Sequence, residues 1–386
     1  MARQAKKLAV GAVSLLAVVG LGTTGQAAAS PTSGAHDGAA FAMTNRSTGN
    51  AIVTYRRAGN GTLTRAGTMS TRGRGIGTDL DTQGGLRLSS DHRFLYAVNA
   101  GSDDLTVFSV SGTHLTFRQK IYAGDEPNSL TINGNLLYVL DGSVAGNGIR
   151  GFRVSASGTL APLPHSVRLL SSPIAVPGQV EFSPDGHLLL ITEKTANALL
   201  APKNAIDAFV VGADGVPSAV PRRDFSHGVR PFSLAFRNSR QVVVAESFNA
   251  APASSALSSY SVSAAGGLTV LSGSVANRQT DTCWVVVTAD GRYAYTANFG
   301  SGTISSYRFT STGRVALING KAAFLGLLSQ PVDLAMTPGS RYLYLLLRGT
   351  GGVAGFSVHK DGSLGSLGVV TGGLPVADGA SGLAAY

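Results

Sequence analysis

Residues 183–194 read Ser-Pro-Asp-Gly-His-Leu-Leu-Leu-Ile-Thr-Glu-Lys. Pro184 presets φ at the second turn position and Gly186 accepts a positive φ, so Ser183-Pro184-Asp185-Gly186 is a tight turn. Behind it, Leu188 to Thr192 form a short buried strand that ends on a charged residue, Glu193. The phrase recurs as Ser90-Asp91-His92-Arg93-Phe94-Leu95-Tyr96-Ala97-Val98-Asn99 and as Ala289-Asp290-Gly291-Arg292-Tyr293-Ala294-Tyr295-Thr296-Ala297-Asn298. A further copy runs from Pro338 to Arg348, and looser ones cover 133–141 and 237–246. The first copy keeps only its strand, Phe41 to Asn45.

The copies end at Asn45, Asn99, Asp141, Glu193, Glu246, Asn298 and Arg348, spaced by about 42 to 54 residues. Each has a short apolar strand before the turn, such as Gln179-Val180-Glu181-Phe182 or Trp284-Val285-Val286-Val287. Each has an alternating strand after it, such as Leu105 to Val110 or Ile304 to Phe309, then a glycine turn (Gly158-Thr159-Leu160, Gly362-Ser363-Leu364) and a fourth strand. The unit is a four-stranded antiparallel meander. Seven of them predict an all-β, seven-bladed β-propeller, because one such sheet cannot bury its faces alone and a ring can. A pair of layered sheets also spaces its strands evenly but does not repeat one turn motif along the chain. The C-terminal Gly382-Leu383-Ala384-Ala385-Tyr386 is a first strand lacking a second, and Phe41 to Asn45 is a second strand lacking a first. Their pairing would close the ring.

In a meander, the Ser-Pro-Asp-Gly turns share one face. The strand ends, the blade-to-blade crossings and the longest loops, residues 194–205 and 247–258, share the other. Function sits most often on loops held by a rigid frame, so this second face is the expected working face.

Charged residues make up only 13% of the 386, and 50 glycines lack a collagen period. The net charge of +10 is scattered rather than clustered, which excludes a nucleic-acid groove. Arg3, Lys6 and Lys7, the apolar run from Leu8 to Leu21, and Ala27-Ala28-Ala29 read as a secretory signal peptide over residues 1–29. Residues 30–39 read as a disordered leader and residues 40–386 as the propeller. The expected protein is secreted, monomeric, and free of the membrane after signal cleavage. Cys283 stands alone, so no intramolecular disulfide is possible.

The Ser-Pro-Asp-Gly turn, the strand ending in Asn or Glu and the Gly-x-Leu turn together resemble the seven-bladed propeller lactonase family. That family includes 6-phosphogluconolactonase-type and carboxymuconate-cyclase-type enzymes. The resemblance covers residues 41–386. It implies a hydrolase, or a cycloisomerase, acting on a lactone or related small anionic carboxylate without a cofactor. The family's Gly-Pro-Arg-His element has its nearest counterpart in His227-Gly228-Val229-Arg230-Pro231-Phe232, where the order differs.

Glu193 and Glu246 stand at equivalent places in adjacent blades. If both face the channel, their mutual repulsion suits one as a general base. Arg230 and His227, on the crossing between these blades, would bind the carbonyl oxygen or a carboxylate. Arg348, Asn99, Asn298 and Asp141 complete the candidate substrate-binding set, although Asn and Asp at strand ends also make turns. No His, Cys or Asp spacing suggests a metal. The rival expectation is a non-catalytic propeller that presents its loops to a cell-wall or protein partner. An open polar channel favours the enzyme, and an apolar plug favours the binding module. The turn assignment itself is checked by Gly186→Val, which lowers the melting temperature because a branched residue resists positive φ.

Overall fold

The computed structural model describes residues 37–143, 146–172, 174–194 and 204–386. The expected signal peptide lies outside the described residues. Seven antiparallel sheets follow in chain order. Blade 1 combines Leu383–Ala385 with Gly38–Met43, Ala51–Arg57 and Leu63–Ser70. Blade 2 is Leu86–Leu88, Phe94–Asn99, Asp104–Ser111 and His114–Tyr122. Blade 3 begins with Pro127–Asn133 and Leu136–Asp141, and blade 4 with Pro177–Phe182 and Leu188–Glu193. Blades 5, 6 and 7 begin with Pro231–Asn238, Thr282–Val287 and Pro331–Met336. Each opening strand touches those of both neighbours, and that of blade 7 touches Leu383–Ala385, which touches Leu86–Leu88. The ring is closed as the sequence predicts, with Phe41 paired to Ala384. The first strand starts at Gly38, so the last two residues of the expected leader belong to the sheet.

The repeated turn is held by its own side chains. Ser183 Oγ donates to Asp185 Oδ1 at 2.6 Å and accepts from Leu188 N at 2.9 Å. Ser89 with Asp91 and Thr288 with Asp290 repeat the bond at 2.6 Å each. Gly186 sits at φ 73° and Gly291 at 66°, and in blade 2 His92 takes the same left-handed place at 59°. The Gly-x-Leu turns have a second use. The second-strand tyrosines Tyr96, Tyr138, Tyr295 and Tyr344 each donate to the carbonyl of a turn glycine in the next blade, Gly158, Gly215, Gly362 and Gly61, at 2.6 to 3.0 Å. These rings are wholly buried, so each bond satisfies a phenol between two blades that would otherwise be costly to bury.

The opening strands of blades 3 to 7 slip register near their entry, between Pro127 and Ser129, Pro177 and Gln179, Pro231 and Leu234, Thr282 and Trp284, and Val332 and Leu334. Such bulges free residues from the ladder. The crossing from blade 1 to blade 2 then lies over the axis. Gln83 bonds Val285 at both N and O, Trp284 Nε1 donates to Thr82 O at 3.0 Å, and Thr82 Oγ1 donates to Asn128 O at 2.7 Å. On the turn-bearing side of Gln83, a cavity of about 320 Å³ contains the Arg87–Glu181 ion pair and Gln179.

Removing residues 382–386 strips blade 1 of its inner strand and exposes buried Leu383 and Ala384. The expected cost is about 4 kcal/mol, since truncating one buried leucine alone costs roughly 2–5. At about 2–4 °C per kcal/mol, the melting temperature falls by about 10 °C.

A charged mouth on the loop-bearing face

The polar side chains that gather at the axis come from the crossings. Asp81 is their hub. Lys194 Nζ reaches its carboxylate at 2.7 Å and Arg230 Nη2 at 3.0 Å. Lys194 is buried, and its ammonium lies 4.4 Å from the centre of the Phe232 ring. Burial lowers its pKa, and Asp81 opposes that shift. Two residues earlier, Asp79 accepts Arg348 Nη1 at 3.4 Å, and burial raises its pKa. Arg348 packs its guanidinium 5.7 Å from the Phe299 ring centre. Asp281 completes the group. Its carboxylate accepts Cys283 Sγ at 3.3 Å. Burial pushes its pKa up, the Cys283 bond and Arg230 pull it down, and Asp81 and Asp79 push it up again. The Nε atoms of Arg230 and Arg348 are both buried without a hydrogen-bond partner among the described residues. The axis is thus neither an open funnel nor an apolar plug. It is a polar mouth floored by Gln83.

Arg230 and Arg348 both reach the crossing between blades 1 and 2, through Asp81 and Asp79 respectively. The two glutamates do not. Glu246 turns into its own blade, where it accepts Gly228 N at 2.8 Å, Ser258 Oγ at 2.5 Å and Ser274 Oγ at 2.7 Å. A Cβ on Gly228 would collide with that carboxylate, so the crossing passes it only as glycine. His227 reaches the same cluster, with Nδ1 2.9 Å from Ser274 Oγ. His227 and Glu246 are thus joined through Ser274, away from the Arg230 guanidinium. Glu193 bonds Ser171 Oγ at 3.2 Å and faces Asp207. Glu193 Oε2 and Asp207 Oδ1 have no other partner, which fits one proton shared between the two carboxylates. The expected approach of Glu193 to Glu246 fails because side chains at the strand end point along the blade, not along the channel.

Asn99 is buried, donating to Asp104 at 2.7 Å and Thr106 at 2.9 Å. Asn298 donates to Thr303 and Ser305 at 2.8 Å each. Asp141 accepts Asp125 N at 2.8 Å and Ser143 N at 3.1 Å. These three hold strand ends and loops and leave little to offer a ligand. Sequence reading missed Asp79, Asp81, Lys194 as a mouth residue, and Asp281. The only signal for them was that two acids stand close together in one crossing, at Asp79 and Asp81. Cys283 is buried and burial raises its thiol pKa, so it is inert. Among the described residues no group of acids, histidines and cysteine could hold a metal ion, and no helix is long and apolar enough to cross a membrane.

A ring of seven antiparallel sheets, six of four strands and one of five, defines a seven-bladed β-propeller. The sequence profile described as "Lactonase, 7-bladed beta-propeller" matches residues 48–177 and 221–326, more than half of the chain, and the chain belongs to that family. The fold is similar to that of a candidate 6-phosphogluconolactonase from Bacteroides uniformis ATCC 8492, at 19% identity and a TM-score of 0.69, over 91% of this chain and 99% of that one. It is also similar to the periplasmic gluconolactonase PpgL of Pseudomonas aeruginosa, at 19% identity and a TM-score of 0.65, over 91% and 99% of the two chains. A protein from Lactobacillus plantarum aligns at 17% identity and a TM-score of 0.70, over 90% and 98%. No curated protein sequence matches the chain.

The shared proton gives a stability prediction. The folded state raises the Glu193 pKa from 4.5 to about 8, through burial first and the Asp207 charge second. The folded chain therefore holds a proton that the unfolded chain releases, and stability from this pair falls as pH rises through that window. Glu193→Gln keeps the shape without the titration. Its melting temperature, relative to wild type, climbs between these two pH values and levels off below the lower one. A difference independent of pH would show that no proton is shared.

Proposed function

We propose that the mouth hydrolyses a lactone to a hydroxy acid, in an exported protein. The observation that carries this reading is the pair of partly exposed guanidiniums of Arg230 and Arg348, whose Nε–H groups have no partner among the described residues, with the half-buried Asp281 close enough to Arg230 to feel its charge. An unsatisfied buried donor is costly, and an anionic ligand removes that cost. Asp81 and Asp79 each hold one Nη atom of a guanidinium, and part of each arginine side chain stays exposed. Family membership supports the chemistry, and the fold it shares with a periplasmic gluconolactonase, together with residues 1–29, supports export.

In this reading Asp281 is the general base. It takes a proton from water as the water oxygen bonds to the lactone carbonyl carbon. Arg230 stabilises the oxyanion that forms, and Arg348 holds the carboxylate as it appears. The ring carbon–oxygen bond then breaks, the departing alkoxide takes the proton back from Asp281, and the new carboxyl group releases its remaining proton to solvent to become the carboxylate. Burial raises Asp281, so kcat/KM declines on the acid side at a pH above the ordinary aspartate range.

Turnover across a panel of five- and six-membered lactones tests the assignment. Asp281→Asn lowers kcat by about 10²–10⁴. Arg230→Gln lowers it by roughly 10²–10³. Glu246→Gln and Glu193→Gln leave kcat within a few-fold of wild type. If no lactone is turned over, or if the Asp281 variant is as active as wild type, the reading fails.

A further inference from the structure

The mouth is lopsided. Its charge, apart from Arg348, comes from the crossing between blades 1 and 2 (Asp79, Asp81), from blade 4 (Lys194) and from the crossings into blades 5 and 6 (Arg230, Asp281). The crossing into blade 7, residues 325–330, carries no Asp, Glu, Lys, Arg or His, and the crossing out of it, residues 372–382, carries one, the exposed Asp378. They instead expose large apolar side chains. Leu327 is 70% exposed, Leu328 83% and Val376 64%. All three flank one turn, Arg348 to Gly351. Gly349 N donates to Ser329 O at 3.0 Å, and a Cβ on Gly349 would collide with the Leu328 carbonyl. On the other side Ala377 N donates to Arg348 O at 3.0 Å, and a Cβ on Gly351 would meet Val376 Cγ2 at 3.0 Å. The residue that this turn sends to the mouth is Arg348 itself.

We infer that the substrate is an alkyl-substituted lactone, with its ring and carbonyl at the charged side and its hydrocarbon tail over Leu327, Leu328 and Val376. This inference rests on the lactone reading of the mouth. Three exposed apolar side chains beside a partly exposed cation match an amphiphile with one anionic end. A protein partner needs a larger surface, roughly 800 Å² on each side. A sugar lactone would fit poorly, because its hydroxyls need several free donors and acceptors. Asp81, Asp79 and Lys194 are already engaged with one another and with the two arginines. The apolar ledge would give a sugar nothing, whereas each methylene of a tail withdrawn from water adds to binding.

Calorimetric binding of the ring-opened acids decides the matter without requiring turnover. The probes are 5-hydroxydecanoate, which carries a tail, and 5-hydroxypentanoate, which does not. For the full-length protein, the longer acid is expected to bind tighter by about tenfold or more. The double variant Leu327→Ser with Leu328→Ser brings the two affinities together and leaves the shorter acid unchanged. Both positions are exposed, so the fold does not depend on them. Equal binding of the two acids by wild type, or an unchanged ratio in the variant, overturns the tail site and leaves the anion-binding mouth standing. If neither acid binds, and Arg348→Ala makes no difference, both readings fall together.

Discussion

Everything in this molecule depends on the pairing of Leu383–Ala385 with Gly38–Met43. A sheet with one apolar face is unstable alone, and seven such sheets are stable only when each face finds a neighbour. Without this pairing blade 1 would present an open edge, and the contact between blades 7 and 2 through Leu383–Ala385 would vanish. The ends of the chain thereby become the least dispensable part of the core: Ala39, Ala40, Phe41 and Ala42 are fully buried. The tyrosine-to-glycine bonds work around the circumference in the same sense. They tie blade 2 to 3, 3 to 4, 6 to 7 and 7 to 1, so the joint at the termini is reinforced from outside.

The fold was legible because its information is local and repeated. Ser183 with Asp185 and Ser89 with Asp91 bond within a few residues, and Gly186 is where it is because φ there is positive. These are properties that a residue carries by itself. The site was less legible for the opposite reason. Asn99, Asp141, Glu193, Glu246 and Asn298 repeat as regularly as the turns, and that regularity is structural: these side chains hold strand ends and loops within and between blades. The mouth is built from crossings, whose sequences do not repeat. Asp81 finds Lys194 and Arg230 across more than a hundred residues of chain, and no spacing rule anticipates that. Arg230 drew attention as part of the counterpart of the Gly-Pro-Arg-His element, and Arg348 because it breaks the acidic and amide series at the strand ends.

Buried carboxylates divide into two kinds here. Glu246 has four donors, and burial still raises its pKa against them. Glu193 has few donors and a second acid beside it, so a proton does what hydrogen bonds cannot. Asp333, in the opening strand of blade 7, is pushed up to about 7 by burial, with Arg87 and backbone amides opposing the shift. Burial raises all three acids of this basic protein, and what opposes the shift differs from site to site, so strand-end equivalence in sequence does not imply an equivalent environment.

Gln83 has a mechanical meaning as well as a steric one. A hoop without a cross-member deforms most easily by becoming oval. Here the segment at Thr82 and Gln83 is bonded to Asn128 and Ser129 of blade 3, Gly178 of blade 4 and Trp284 and Val285 of blade 6. It is a strut across the bore. Three other blades are thereby braced against one short segment, so ovalising the hoop there means breaking several of these bonds together.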